Sequence, residues 1–281
     1  MRVYLSVDME GIAGVSHPKP THRGDLGYPA AAALMTAEAN AAIEGAFDGG
    51  ATSVLVNDSH GGMYNLVPDD LDPRARLLQG QKAWSMVAGA GPLGDAEEPR
   101  YDVALFVGYH ARAGHPNGTI AHTFSSKPVE TRLNGRPTGE YGLNALVLGA
   151  WGVPVGLVAG DDALADEVAN WLPWAERVIV KDADGTRAAA AVHPIRAREL
   201  VRAGAWRAVE RAAAGELRLL VPDLPITIDV EYGRGLEADY AALAPLGQRI
   251  GDRIARVVAP DAVTAYRGFL AGVRLAGLVD D

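Results

Sequence analysis

The chain has 281 residues, with 35 acidic and 26 Lys/Arg side chains, a formal charge of −9, seven His and no Cys. Without cysteine there is no disulfide scaffold, zinc ribbon, iron–sulfur cluster or thiol nucleophile, and the acidic balance argues against a nucleic-acid partner, which calls for a basic surface. At 48% hydrophobic and 22% charged residues the composition is that of a soluble globular protein, long enough for one large domain or two smaller ones.

The opening run alternates Val3, Leu5 and Val7 with Tyr4, Ser6 and Asp8, which is strand periodicity. Charges interrupt its only early apolar stretch, so no secretory signal is read there and the expected location is cytoplasmic. An alanine-rich helix follows over about 30–47, stopped by Gly49-Gly50. Strands are expected at 52–56 and 103–107. Residues 129–137 contain Asn134-Gly135, a pair that tolerates positive φ and suits a hairpin turn. A helix over 139–151 comes next, then a strand at 155–158, a helix over 162–171 ended by Pro173, and a strand at 177–180. Strands separated by helices of this length imply parallel pairing. Beyond a connection around 182–194, an arginine-rich helix over 195–214, strands at 226–230 and 254–258 and a last helix from Asp261 suggest a smaller unit. The expected fold is α/β: a layered α/β/α core with a mostly parallel sheet over residues 1–190, forming the metal-binding catalytic domain, and a smaller C-terminal α+β domain over 191–281. No apolar stretch is long enough to span a bilayer, so no membrane partner is expected.

Carboxylates and imidazoles collect just after the expected strands, with glycine beside them: Asp8-Met9-Glu10-Gly11, Asp58-Ser59-His60-Gly61, Gly108-Tyr109-His110 and Gly160-Asp161-Asp162. In an open α/β sheet ligands bind at these carboxyl ends. Asp8 and Glu10, two residues apart, project from one face if the strand persists, and such a pair repels unless protonated or bridged by cations. Each alone reads equally as a turn residue or a solvated carboxylate. With His60 and His110 at equivalent strand ends they make a mixed N/O set suited to zinc or another divalent metal. Glu140 offers a fifth donor, although its spacing alone favours a helix N-terminal charge facing the macrodipole. Three carboxylates and two imidazoles exceed the needs of one tetrahedral zinc and suit two metals about 3.5–4 Å apart, bridged by a carboxylate, with Asp8 the expected bridge.

His122 follows far enough after His110 for the loop to fold back, as an acid/base group or a partner of a ligand. His17, His22, His115 and His193 read as solvated turn residues, and Asp161 and Asp162 as helix caps. Arg112 and Asn144 are candidates for a substrate carboxylate or carbonyl, a surface role being an equal reading. There is no Walker A loop, G-x-G-x-x-G, H-E-x-x-H or G-x-S-x-G. Ser16-His17-Pro18-Lys19 matches S-x-x-K without its companion motifs.

VDMEGI, VNDSHG, GYHA and G-E-x-G-L-N, in that order between residues 2 and about 181, resemble the zinc D-aminopeptidases of bacterial dipeptide-transport operons, the DppA-like family. The resemblance is thinner in the C-terminal third. It implies Asp8, Glu10, His60, His110 and Glu140 as zinc ligands, two zinc ions per subunit, His122 as the catalytic histidine, and a ring-shaped decamer of two stacked pentamers. The function it implies is a dinuclear zinc aminopeptidase that removes the N-terminal residue of short peptides, with D-amino-acid peptides or amides as candidate substrates. Two alternatives stand beside it: a phosphatase-like two-metal hydrolase, for which a Lys/Arg clamp is expected, and a non-catalytic, metal-stabilised oligomeric peptide-binding protein.

Overall fold

The computed structural model describes residues 1–92 and 98–279. In chain order its strands are β1 (Arg2–Val7), β2 (Ser53–Asp58), β3 (Arg76–Leu78), β4 (Val103–Val107), β5 (Pro128–Leu133), β6 (Arg136–Pro137), β7 (Val155–Asp161), β8 (Glu176–Ala183), β9 (Ala189–Ala191), β10 (Ile226–Tyr232), β11 (Gly247–Arg249) and β12 (Ile254–Ala259). The helices are α1 (Tyr28–Asp48), α2 (Glu140–Ala150), α3 (Asp162–Trp171), α4 (Pro194–Ala213), α5 (Gly235–Ala241) and α6 (Ala262–Ala276).

A seven-stranded sheet in the order β3-β2-β1-β4-β7-β8-β9 forms the centre. Its pairs are parallel except β8–β9. Every residue of β4 and all but the first of β1 are buried, because helices cover both faces of a mostly parallel sheet. Val3, Leu5, Leu105 and Val107 meet α1 and α4 on one face. Tyr4, Phe106 and Val158 join the cluster that holds α2 and α3 on the other. Helices α1 and α4 cross closely: a Cβ on Gly45 would lie 2.1 Å from the Arg202 carbonyl oxygen.

The second sheet is antiparallel, in the order β11-β12-β10-β5-β6. Along β10 the residues Ile226, Ile228, Val230 and Tyr232 are buried and their neighbours half-buried, the alternation of a sheet with one covered face. Tyr266, Phe269, Leu270 and Val273 of α6 pack in the same apolar cluster, which also contains α2, Tyr4 and Phe106. One continuous core therefore joins both sheets.

The division between the sheets does not fall at residue 190. Residues 128–137 form the expected hairpin, with Asn134 at φ 47° and Gly135 at φ 79°, but it pairs with β10 and belongs to the second sheet. Helix α4, expected to lie with the C-terminal unit, packs on α1 and the first sheet. Its small inward positions Ala197, Ala205 and Ala208 are buried there.

Candidate metal centre and active site

Register brings the polar strand ends together. Val7 pairs with Asp58 on one side and Val107 on the other, so the residues after each strand leave the sheet at one level. Asp8 N donates to Val107 O (2.8 Å), Ser59 N to Val7 O (2.8 Å) and Gly11 N to Gly108 O (2.7 Å). Only glycine permits the last approach: a Cβ on Gly11 would meet the Tyr109 carbonyl oxygen at 1.8 Å, and Gly108 sits at φ 73°. Between β1 and β4 the strand order reverses, one branch leading to β2 and β3 and the other to β7 and β8. Such a switch point is where open α/β sheets form their ligand crevice.

Asp8, Glu10, His60, His110 and Glu140 are all buried at this point. Asp8 turns Oδ1 to His60 Nδ1 at 3.1 Å and Oδ2 to His110 Nε2 at 3.4 Å. Glu10 Oε2 is 2.9 Å from His60 Nδ1, and Glu140 Oε2 is 3.4 Å from His110 Nε2. Each ring is oriented by its other nitrogen. His60 Nε2 donates to the Thr21 carbonyl and His110 Nδ1 to the Ala111 carbonyl, both at 2.9 Å. The neutral rings then point lone pairs at carboxylate oxygens, an arrangement that needs a proton or a metal between them. His110 Nε2 is buried and has no hydrogen-bond partner among the described residues. Three buried carboxylates beside two imidazoles also demand cationic charge. Donors of this type and number fit zinc at a dinuclear site.

The protein groups alone show the same demand. Burial works against the charged imidazoles, but Glu10 with Asp8 raises His60, and Glu140 with Asp8 raises His110, well above the usual histidine value. Burial and the Glu10 charge push Asp8 up. Burial also opposes the charged forms of Glu10 and Glu140, yet His60 holds the first well below the carboxylate range and His110 lowers the second.

His122 stacks on His110, with ring centroids 4.1 Å apart, and keeps its edge in a cavity of about 600 Å³ that Asp8, Glu10, His60 and Glu140 also line. Its Nδ1 donates to the Ile120 carbonyl (3.0 Å), and its Nε2 lies 3.7 Å from Glu140 Oε1. The loop is strained, with Ile120 at φ 53° and Phe124 at φ 61°. It persists because it is tied from several sides: Thr119 N to Asp161, Ile120 N to the Thr186 carbonyl, Ala113 N to Thr123 Oγ1 and Phe124 N to Glu140 Oε1.

Two expected substrate contacts are elsewhere. Arg112 pairs with Glu167 at 3.1 Å and faces Glu130 at 3.8 Å. Asn144 is buried, donating to Tyr109 Oη and accepting from Tyr266 Oη; neither residue lines the cavity. His115 is half-buried and accepts from Asn117 N. Asp161 caps α3 by accepting from Leu164 N.

A family model described as peptidase M55, D-aminopeptidase, matches residues 1–271. The chain belongs to the M55 peptidase family. It is 36% identical over 278 residues to a D-aminopeptidase of Bacillus subtilis (strain 168), covering 98% of each chain. It is also similar to a solved structure, the Zn-dependent D-aminopeptidase DppA from Bacillus subtilis, a self-compartmentalizing protease, at TM-score 0.91 and 34% identity over the whole of both chains.

Around the donor set of this M55 peptidase lie residues that sequence reading missed. Lys181 is fully buried on β8, and its ammonium donates to the carbonyls of Glu10, Ile12 and Val15. Glu38 of α1 accepts from Ala13 N. The two clamp the backbone that carries Glu10. Each had a local signal, a lysine within an apolar strand and a carboxylate within a run of alanines. Arg23 and Arg187 line the cavity from segments whose fold no local pattern specifies.

Proposed function

We propose that this M55 peptidase removes D-configured N-terminal residues from short peptides, with two zinc ions per subunit held by Asp8, Glu10, His60, His110 and Glu140. The buried, unpartnered Nε2 of His110 between two carboxylate oxygens carries this reading. Asp8 presents one oxygen to each imidazole and would be the carboxylate shared between the two ions. Zinc, when bound, supplies a Lewis acid for the scissile carbonyl and a water acidic enough to ionise near neutral pH. The free amino end of the peptide would be held at this centre, by the metal or by a carboxylate beside it, which favours attack at the first peptide bond. His122, fixed through Nδ1, takes up a proton at Nε2 and delivers it to the leaving amine.

Self-association belongs to the same reading. The resemblance implies a decamer, and the solved relative is described as self-compartmentalizing. Exposed Leu236, Tyr240 and Leu243 recur at helical spacing on α5 and the turn after it, an apolar face of the kind that oligomers cover.

A panel of D- and L-aminoacyl amides with the zinc-loaded protein, beside p-nitrophenyl phosphate, tests the chemistry. Turnover is expected for D-aminoacyl amides. A zinc-loaded protein that cleaves no aminoacyl substrate overturns the reading, and cleavage of the phosphate alone replaces it.

A further inference from the structure

The cavity has a floor of carboxylates, and its guanidinium groups are those of Arg23 and Arg187. Some arginines of this chain meet carboxylates, as Arg2 does with Asp102, Arg74 with Asp72 and Arg256 with Asp229, and others meet backbone carbonyls, as Arg100 does with Gly89 and Arg274 with Lys82; what marks Arg23 and Arg187 is their place on the cavity wall. Arg23 and Arg187 have no ion-pair partner among the described residues. Arg23 is nevertheless held in place. Its guanidinium lies over the Tyr64 ring at 4.2 Å and the Tyr28 ring at 5.0 Å. Its Nη2 donates to the Tyr64 carbonyl (2.5 Å) and Tyr28 Oη (3.1 Å). A guanidinium oriented by aromatic faces and without a counter-ion is a prepared site for a carboxylate.

Both arginines are tied to the reacting centre. Thr21, two residues before Arg23, gives its carbonyl to His60 Nε2. Tyr28, under the Arg23 guanidinium, donates to Asn65, which in turn donates to the His60 carbonyl. Arg187 follows Thr186, whose carbonyl accepts from Ile120 N in the loop of His122. The Arg23 guanidinium thus stands at a fixed offset from His60, and the backbone that carries the exposed Arg187 side chain is tied to the loop of His122. A cavity of about 600 Å³ is of the size that encloses small ligands, and each peptide residue spans roughly 3.5 Å at most.

We propose that Arg23, assisted by Arg187, forms a subsite for the C-terminal carboxylate of a short peptide whose amino end lies at the donor set of Asp8, Glu10 and Glu140. The proposal rests on the aminopeptidase reading and adds a ruler to it: a centre that holds the amino end and a guanidinium that holds the terminal carboxylate together select free peptides of a few residues over longer chains and amidated ends.

The test compares the zinc-loaded protein on D-Ala-Gly and D-Ala-Gly-NH₂. A charge-assisted pair lost with the carboxylate predicts a kcat/KM roughly 10- to 100-fold higher for the acid, carried by KM. Arg23→Gln is expected to collapse that ratio towards one, Arg23→Lys to keep part of it, and Arg187→Gln to reduce it by less than Arg23→Gln. Equal kcat/KM for acid and amide in the unaltered protein overturns the proposal. So does a ratio that survives Arg23→Gln, or a preference for D-Ala-Asp-NH₂ over D-Ala-Asn-NH₂ without one for a free terminus, which assigns the arginines to a side-chain carboxylate. If neither peptide is cleaved, the aminopeptidase reading fails separately. The subsite is then read from the rise in Tm with each peptide: a larger rise with the acid, lost in Arg23→Gln, supports it, and equal rises overturn it.

Discussion

Asp8 faces His60 with one oxygen and His110 with the other, so its removal strips both halves of the centre at once. Asp8→Ala is expected to lose metal, read by elemental analysis, together with activity. His122 touches Glu140 only distantly and stacks on a ligand ring. His122→Ala should therefore keep the metal content of the unaltered protein and lose about 10²–10⁴-fold in kcat, the usual worth of a positioned acid/base group. His115→Ala, whose side chain does not line the cavity, should change the rate little; the reverse pattern would exchange the roles of the two histidines. Glu38 has a different kind of consequence. Burial pushes its carboxyl from 4.5 to about 7, although the Ala13 N–H and Lys181 act against the rise. A carboxyl raised by folding binds more protons folded than unfolded, so its contribution is present below pH 4.5 and lost as pH rises towards 7. The full loss is roughly 3 kcal/mol for such a shift. Glu38→Gln keeps an acceptor for Ala13 N and removes the titration. Its Tm relative to the unaltered protein should climb between pH 5 and pH 8; a constant difference would sink this account.

At the scale of elements, α1 and α4 meet where Gly45 lets backbone approach backbone. Gly45→Ala forces them apart and should lower stability by about 1–3 kcal/mol, the range for overpacking, read as a lower Tm with the metal content unchanged. This contact also marks the limit of local pattern. The alternation in Val3–Val7 and the helical run before Gly49-Gly50 are written in neighbouring residues, and so are the Asn134-Gly135 turn and the glycines beside Asp8, His60 and His110. What pairs with what is not. The hairpin strand β5 finds its partner β10 far along the chain, with Arg132 opposite Asp229, and α4 reads as amphipathic without saying which sheet it covers. Strands β3, β9 and β11 have three residues each, too short for a period to register. Around the site, Asp8, Glu10, His60 and His110 carried signals because they closely follow strands β1, β2 and β4, while Glu140, which opens α2, and His122, in a loop, were singled out by the motifs they share with the family. Arg23 sits in an irregular segment placed by Tyr28, Tyr64 and the Thr21 carbonyl, contacts that exist only after folding.

On the scale of the whole molecule, the apolar face of Leu236, Tyr240 and Leu243 predicts association. Light scattering should report a mass well above that of one chain at micromolar concentration, and Leu236→Glu with Leu243→Lys should lower it while secondary structure persists. A monomer before substitution would remove this role for the face. The donor set has one more property at this scale. Asp8, Glu10, His60 and His110 stand on loops of the parallel sheet, whereas Glu140 opens α2, the helix that packs on α6 above the antiparallel sheet. A cation held by these groups would clasp the seam between the two layers. Its loss leaves like charges facing one another across that seam, so the seam should breathe before either sheet melts. Amide hydrogen exchange after chelation should accelerate first in α2, α6 and the 119–124 loop, while β1 and β4 stay protected. The resting enzyme would then report its metal content through the looseness of a joint.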